Sequence, residues 1–236
     1  MVTIGNQNRT NKILDSAATL IARYSYDKTT VSEIADEAGI SKGAVYLEFR
    51  SKDELLGALL IREMRRLMED TRGRIDADPG GGTISGIYRH SILALANNPL
   101  MCALYTKDSR VLGDYIRRQP PSRYTERFLF GRMFVERMQE AGLLRDDLSP
   151  ELTAYLMSII SYGLMSIETV IPAEEAPPLE EVAQTLSMVV ERSFGTGSGD
   201  SAAGKRALTL LLADIERQYE RDDSLTISED AESSEG

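Results

Sequence analysis

The chain has 236 residues, a formal net charge of −10, 42% hydrophobic residues, one Cys and one His. A single Cys excludes an intrachain disulfide, and one His with one Cys excludes a His/Cys metal cluster. No Ser/His/Asp or Cys/His constellation is available for catalysis and no cofactor motif appears, so the chain is not expected to be an enzyme. Helical periodicity dominates over alternation, which makes the fold class all-α. The N-terminus, Met1 to Arg9, is polar without a signal-peptide pattern, and no apolar run is long enough to span a bilayer. A cytoplasmic protein that does not enter membranes is the expectation.

Residues 1–8 read as a flexible arm, followed by a helix from about Arg9 to Tyr24 with Ile13, Ala17, Leu20, Ile21 and Tyr24 on its packing face. Arg9 and Lys12 near its start are within reach of a phosphate, or are surface charge. Thr30 and Glu33 form a Thr-x-x-Glu capping box. Val31, Ile34, Ala35 and Ala38 then recur at helical spacing, and Gly39 ends that helix. Ser41 caps a second short helix that carries Val45 inward and ends near Phe49, and Ser51 with Glu54 opens a third. Two short helices over a Gly-containing turn, at about residues 30–49, make a helix-turn-helix. Its second helix would enter the major groove and present Ser41, Lys42, Gly43, Ala44, Tyr46 and Leu47. Gly43 and Ala44 let the backbone approach DNA, Lys42 reaches a phosphate or a guanine edge, and Ala44 or Leu47 meets a thymine methyl. Tyr46 and Lys52 donate to phosphates, and Thr30 joins the set.

The segments Ile13-Leu14-Asp15-Ser16-Ala17-Ala18, Tyr26-Asp27-Lys28-Thr29-Thr30-Val31, Ile34 to Gly43, Val45-Tyr46-Leu47-Glu48-Phe49 and Ser51 to Leu56 resemble the DNA-binding domain of the TetR family of bacterial transcriptional regulators. The resemblance implies a homodimeric regulator, most often a repressor, released from a palindromic operator by a small molecule. Two departures stand out. Glu48 occupies a place where the family usually has His or Tyr, with Lys52 or Arg23 as possible partners, and Ser25 stands where the family usually has Gly.

The division expected from the sequence is a DNA-binding domain over residues 1–56, a ligand-binding and dimerisation body over 57–194, and a linker, extra helix and acidic disordered tail over 195–236. The first 56 residues hold seven Lys/Arg against eight Asp/Glu, and residues 195–236 hold four against ten, so much of the acidity lies away from the head. A head this close to neutral binds DNA weakly without specific contacts, which favours a dimer reading two half-sites.

Beyond the head, a long helix from Ser51 carries Leu55, Leu56, Leu59, Leu60, Met64, Leu67 and Met68 to about Glu69. Its charges Arg62, Glu63, Arg65, Arg66 and Glu69 read as a solvated face. Asp78-Pro79-Gly80-Gly81-Gly82 is a break. Helices are expected over 83–96, 100–118 and 122–141, each bounded by Pro, Asn or Gly. Ser149-Pro150-Glu151 starts another helix, and Leu179 to Phe194 forms the last of the body. The resemblance implies dimerisation through these last two, with Leu152, Tyr155, Ile159, Gly163, Leu164, Leu186, Val189 and Val190 at the contact; the alternative is that they close the monomer's own core. Gly195 to Gly204 reads as a linker, Lys205 to Tyr219 as an amphipathic helix, and 220–236 as an acidic tail.

The resemblance also implies a small-molecule effector, apolar or amphipathic, in a cavity among the middle helices. Met68, Ile87, His90, Ser91, Met101, Leu104, Tyr105, Phe130, Phe134, Met138, Met157 and Tyr162 are the candidate lining. No metal site is expected. The competing reading is an all-α adaptor acting through its C-terminal helix and tail.

Overall fold

The computed structural model describes the backbone of residues 4–118, 122–172 and 174–232, and side chains within 7–118, 131–167, 169–172 and 174–218. All regular structure there is helical, apart from an isolated bridge between Leu144 and Gly195. The helices are α1 (Ile4–Tyr24), α2 (Val31–Glu37), α3 (Lys42–Glu48), α4 (Lys52–Ala77), α5 (Ile84–Ala96), α6 (Pro99–Thr106), α7 (Ser109–Arg118), α8 (Ser122–Glu140), α9 (Pro150–Ser166), α10 (Leu179–Phe194) and α11 (Ser201–Glu232). By contact density the chain divides into two compact units. One is Met1–Leu67 with Leu95–Pro121, and the other is Met68–Ala94 with Ser122–Gly236. Helices α6 and α7 therefore group with the N-terminal head.

In the first unit, Ile13, Ala17 and Ile21 of α1, Ile34 and Ala35 of α2, Val45 of α3, and Leu55, Leu56 and Leu59 of α4 are all buried. Helix α1 begins at Ile4, five residues before the expected start, since no Pro interrupts the polar run that precedes Arg9. Its C-terminal side is unusual. Ser25 adopts φ 78°, and its carbonyl accepts from Thr29 through both the amide and Oγ1. A side chain at positive φ costs about 1–2 kcal/mol. Ser25→Gly should relieve this, offset in part by a freer unfolded chain, and stabilise the unit by about 0.5–1 kcal/mol. Calorimetry should show the melting temperature rising by roughly 1–4 °C; no rise would mean that Ser25 carries a compensating contact.

The expected helix over 100–118 is two helices. Lys107 enters the left-handed region at φ 56°, and Asp108 caps a new start, its carboxylate accepting from the Arg110 amide at 2.8 Å. Helix α7 is itself kinked at Gly113 (φ 50°, ψ −138°), a conformation open to glycine. The Asp27 carboxylate occupies the space a Gly113 side chain would need and accepts from the Asp114 amide at 3.1 Å. Tyr26 donates its amide to the Val111 carbonyl at 2.8 Å, and its ring meets Tyr115 edge-on at 5.9 Å. Helix α7 thus clasps the connection between α1 and α2.

The charges on α4 are not uniformly solvated. Glu63 is buried, with Arg62 and Arg66 each at 2.9 Å from Oε1 and the Asn98 amide at 3.2 Å from Oε2. Arg62 reaches on to Asp15 of α1 at 2.9 Å, and Asn98 caps α6 through the Met101 amide. This network joins three helices, and it corrects the expectation for Arg62 and Glu63; Arg65, Arg66 and Glu69 are exposed.

The second unit is built around Ile84, Ile87 and Tyr88 of α5, Val135 and Met138 of α8, Ala154 and Met157 of α9, Ala183, Val190 and Phe194 of α10, and Leu208 and Leu211 of α11. The glycine-rich stretches are packing seams here. Helix α11 starts at Ser201, inside the expected linker. Ser201 Oγ accepts from the Gly82 amide at 3.0 Å and donates to the Pro79 carbonyl at 2.8 Å. Lys205 Nζ reaches the Asp78 carbonyl at 2.8 Å. A side chain on Gly204 would stand 1.8 Å from the Gly82 carbonyl oxygen. With neither Gly nor Pro from Lys205 to Glu235, the helix runs on to Glu232 through most of the expected disordered tail; residues 233–236 lie outside the described residues.

Candidate nucleic-acid interface

Local sequence signals build this site. Thr30 Oγ1 accepts from the Glu33 amide at 3.2 Å while the Thr30 amide donates to Glu33 Oε2 at 2.8 Å, closing the capping box. Those bonds hold the Glu33 carboxyl below the usual range, the Thr30 amide contributing most. At the other end of α2, Gly39 takes φ 65°, and the Ile40 amide returns to the Ala35 carbonyl at 3.0 Å. Ser41 Oγ then accepts from the Ala44 amide at 3.2 Å and starts α3. Val45 anchors α3 inward, and Ala44 is half-buried.

What remains outside is the face expected to read bases. Ser41, Lys42 and Gly43 are exposed, Tyr46 is 46% exposed and Leu47 is 81% exposed. Lys42 and Tyr46 lie one turn apart, with the ammonium 5.9 Å from the ring centroid. A leucine this exposed gains little from the fold.

Two residues are placed differently from expectation. Lys52 turns inward: Nζ donates to the carbonyls of Tyr26 (2.8 Å) and Thr29 (2.9 Å) and sits 4.0 Å over the Tyr26 ring. Burial lowers its pKa, against the pull of Asp27 and Asp53. It braces the start of α4 against the loop before the helix-turn-helix. Tyr26 completes this brace by donating its hydroxyl to Asp53, which also accepts from Arg118 at 3.0 Å; burial first, then Asp53, raises the phenol pKa. Glu48 pairs with neither Lys52 nor Arg23. Its Oε1 accepts from Arg9 Nε at 2.9 Å and from Nη2, and its Oε2 accepts from Thr10 Oγ1 at 3.0 Å. Arg23 lies over the Tyr24 ring instead. Sequence reasoning missed the Arg9–Glu48 pair because 39 residues separate its partners.

The family profile for bacterial regulatory proteins of the tetR family matches residues 13–59, which hold this geometry. Over those residues the chain carries a tetR-type DNA-binding head. The HTH-type transcriptional repressor KstR2 of Rhodococcus jostii is 39% identical over 72 residues, 30% of this chain and 33% of that protein. The matches centred on the head span between 24% and 39% of the curated relatives' length. Among solved structures, the transcriptional regulator FadR of Bacillus subtilis in complex with stearoyl-CoA superposes with a TM-score of 0.58 at 17% identity, covering 76% of this chain and 96% of that one. AibR in complex with isovaleryl coenzyme A and operator DNA superposes at 0.53 with 20% identity, over 77% and 97%. At these identities the structures establish a shared fold.

The other candidate residues fall in the helical body beyond the head. Along α9, Leu152, Tyr155, Ile159 and Gly163 are exposed on one side together with Tyr162, and α10 adds Val189 and Met188. Leu164 and Leu186 are half-buried against the core. Val190 is fully buried and points into the subunit's own core, one residue round the helix from the exposed Val189, so it is not available to a partner.

The candidate ligand residues are divided between the two units. Met101, Leu104 and Tyr105 belong to the first unit and the others to the second. Ile87, Met138 and Met157 are core residues, Phe134 packs on that core, Met68 and Ser91 are half-buried, and the Phe130 side chain lies outside the described residues. His90 alone of the set lines an open cleft of about 350 Å³, with Arg74, Ala77, Asp78, Arg89, Leu93, Glu180 and Gln184. Its Nε2 is 2.9 Å from Asp78, which Arg89 also contacts at 2.6 Å. Hydrogen bonding to His90, then to the Gly80 amide, lowers the Asp78 pKa. Charged and polar residue types predominate in that lining, with Ala77 and Leu93 between them. Among the described residues no group of three or more His, Cys, Asp or Glu is placed to hold a metal ion, and no helix is long and apolar enough to cross a membrane.

Proposed function

We propose that this chain is a cytoplasmic, ligand-responsive transcriptional regulator that binds a palindromic operator as a homodimer and represses from it. The observation that carries this reading is the exposed Lys42–Tyr46–Leu47 face on a capped, rigidly seated α3 within a TetR-type head. In a major groove, Lys42 would meet a guanine edge or phosphate, Leu47 a thymine methyl, and Tyr46, Ser41 and Thr30 phosphate oxygens, while Gly43 admits the backbone. Lys52 acts as a brace for that geometry. The exposed apolar side of α9 and α10 supports a two-fold interface between copies, which would set the two heads about 34–36 Å apart.

The effector we propose is amphipathic, and acyl-coenzyme A thioesters are the first class to test, because two proteins of this fold hold them. Such a ligand releases DNA by binding better to a subunit conformation with a different head spacing; each tenfold preference shifts the equilibrium by about 1.4 kcal/mol. The clasp of α7 on Tyr26 and Asp27 gives α6 and α7 a direct hold on the head.

The test is selection from a library of random duplexes, followed by titration of Leu47→Ala and Lys42→Ala on the recovered site. We expect a palindrome, and a roughly 5- to 150-fold loss of affinity where about 1–3 kcal/mol of base discrimination is lost, concentrated at one base position per half-site for Leu47→Ala and, for Lys42→Ala, either so concentrated (a guanine contact) or uniform across sequences (a phosphate contact). Recovery of no enriched sequence at low salt would remove the DNA-binding reading, and the exposed C-terminal surfaces would then be screened for a protein partner.

A further inference from the structure

The recognition helix ends on an acid, and what the structure does with it suggests a second DNA contact. Both oxygens of Glu48 are occupied, Oε1 by Arg9 and Oε2 by Thr10. The two sides of the pair are unequally covered: the Glu48 side chain is 10% exposed and the Arg9 side chain 39%. The acid is thus withdrawn from solvent, while the cation it holds keeps much of its surface. A helix seated in a major groove about 12 Å wide has phosphates along its flanks. A guanidinium fixed beside its last turn stands at that flank, and its planar fork of five donors can hold a carboxylate on one edge and a phosphate on another.

We propose that Arg9, held in place by Glu48, is a phosphate-binding residue of the DNA interface, with Glu48 as its positioning residue. This rests on the DNA-binding reading above. It also gives the acid a role: fixing Arg9 before DNA arrives reduces the side-chain ordering that binding would otherwise require. In a head with seven cations against eight acids, one well-placed guanidinium is a large share of the attraction.

The experiment measures the affinity of the full-length chain for its selected duplex and for a scrambled duplex across a series of KCl concentrations. Arg9→Gln, Arg9→Lys and Glu48→Gln are compared with Arg65→Gln, an exposed cation on α4. Arg9→Gln should weaken both duplexes alike and reduce the slope of log affinity against log salt by about one per subunit, about two for a dimer. Arg9→Lys should restore the slope. Glu48→Gln should weaken binding although it removes a negative charge, the opposite of what repulsion alone would give. Arg65→Gln should leave the slope unchanged. An Arg9→Gln protein that loses affinity with an unaltered slope would show that Arg9 only braces α3, and a Glu48→Gln protein that binds more tightly would equally overturn the proposal. If the wild-type chain selects no site at all, the DNA-binding reading falls and this inference with it; a wild type that binds, with an unaltered slope in Arg9→Gln, overturns this inference alone.

Discussion

Replacing Gly204 with alanine is expected to strip the start of α11 from its unit. The added carbon would stand 1.8 Å from the Gly82 carbonyl oxygen and 3.0 Å from Leu143 Cδ1. The first obstacle is backbone, so no rotamer relieves it, and the reciprocal position is equally closed: a side chain on Gly82 would meet the Ser201 carbonyl at 1.9 Å. Separation would break the bonds of Ser201 to Gly82 and Pro79 and of Lys205 to Asp78. It would also expose Leu208 and Leu211, now 6% and 3% accessible. Exposing two buried leucines costs about 3–6 kcal/mol before any lost hydrogen bond is counted. Hydrogen exchange should show the amides of residues 205–215 losing protection, with new proteolytic cuts near residue 200. The chain should still bind DNA, because the contact lies wholly in the second unit. Unchanged protection in α11 would mean that the seam between Gly82 and Gly204 opens without cost, and that α11 is held by its leucines alone.

That seam shows why the head was legible in the sequence and much else was not. The head announces itself through signals that act over three to five residues: Thr30 with Glu33, Gly39 after Ala38, Ser41 before Ala44. Each is a cap whose partners are neighbours in the chain, so spacing alone identifies them. A glycine, by contrast, has the same local meaning whether it frees the chain or admits another backbone. Gly80 to Gly82 and Gly195 to Gly204 read as a break and a linker, yet Gly82 and Gly204 are buried against one another across 122 positions. The division of 100–118 at Lys107 escaped for a related reason, since lysine has no special preference for the left-handed region and Asp108 supplies the cap only once the turn is made. Met and aromatic side chains at helical spacing suggest an effector cavity by residue type alone. Ile87, Met101, Met138 and Met157 are buried and Phe134 packs on the core, which is the commoner use of such side chains. The Arg9–Glu48 pair is legible only as an oddity, an acid where phosphates are expected, and its partner depends on how α1 crosses α3.

Glu63→Ala is expected to destabilise the first unit by about 3–5 kcal/mol, the range for removing one partner of a buried ion pair. A charged residue on a long amphipathic helix is ordinarily solvated, but Glu63 is 8% exposed and answers to Arg62, Arg66 and Asn98 at once. Removal leaves the Arg62 guanidinium, itself 13% exposed, with Asp15 and the Asn11 carbonyl, and leaves Asn98 Nδ2 without its carboxylate. Asn98 also caps α6 through the Met101 amide, so the loss extends to the attachment of α6 and α7 to the head. Calorimetry should show the transition of this unit lowered by roughly 6–20 °C. Glu63→Gln keeps the shape and an acceptor for Asn98, and should recover part of the loss. If α6 and α7 carry the effector's signal, a temperature exists at which Glu63→Gln remains folded and binds its operator yet responds less to ligand, because the link from Asn98 to α4 is weaker. A Glu63→Ala protein within 1 kcal/mol of wild type would reduce this network to a set of surface ion pairs and would leave the clasp on Tyr26 and Asp27 as the hold of α6 and α7 on the reading head.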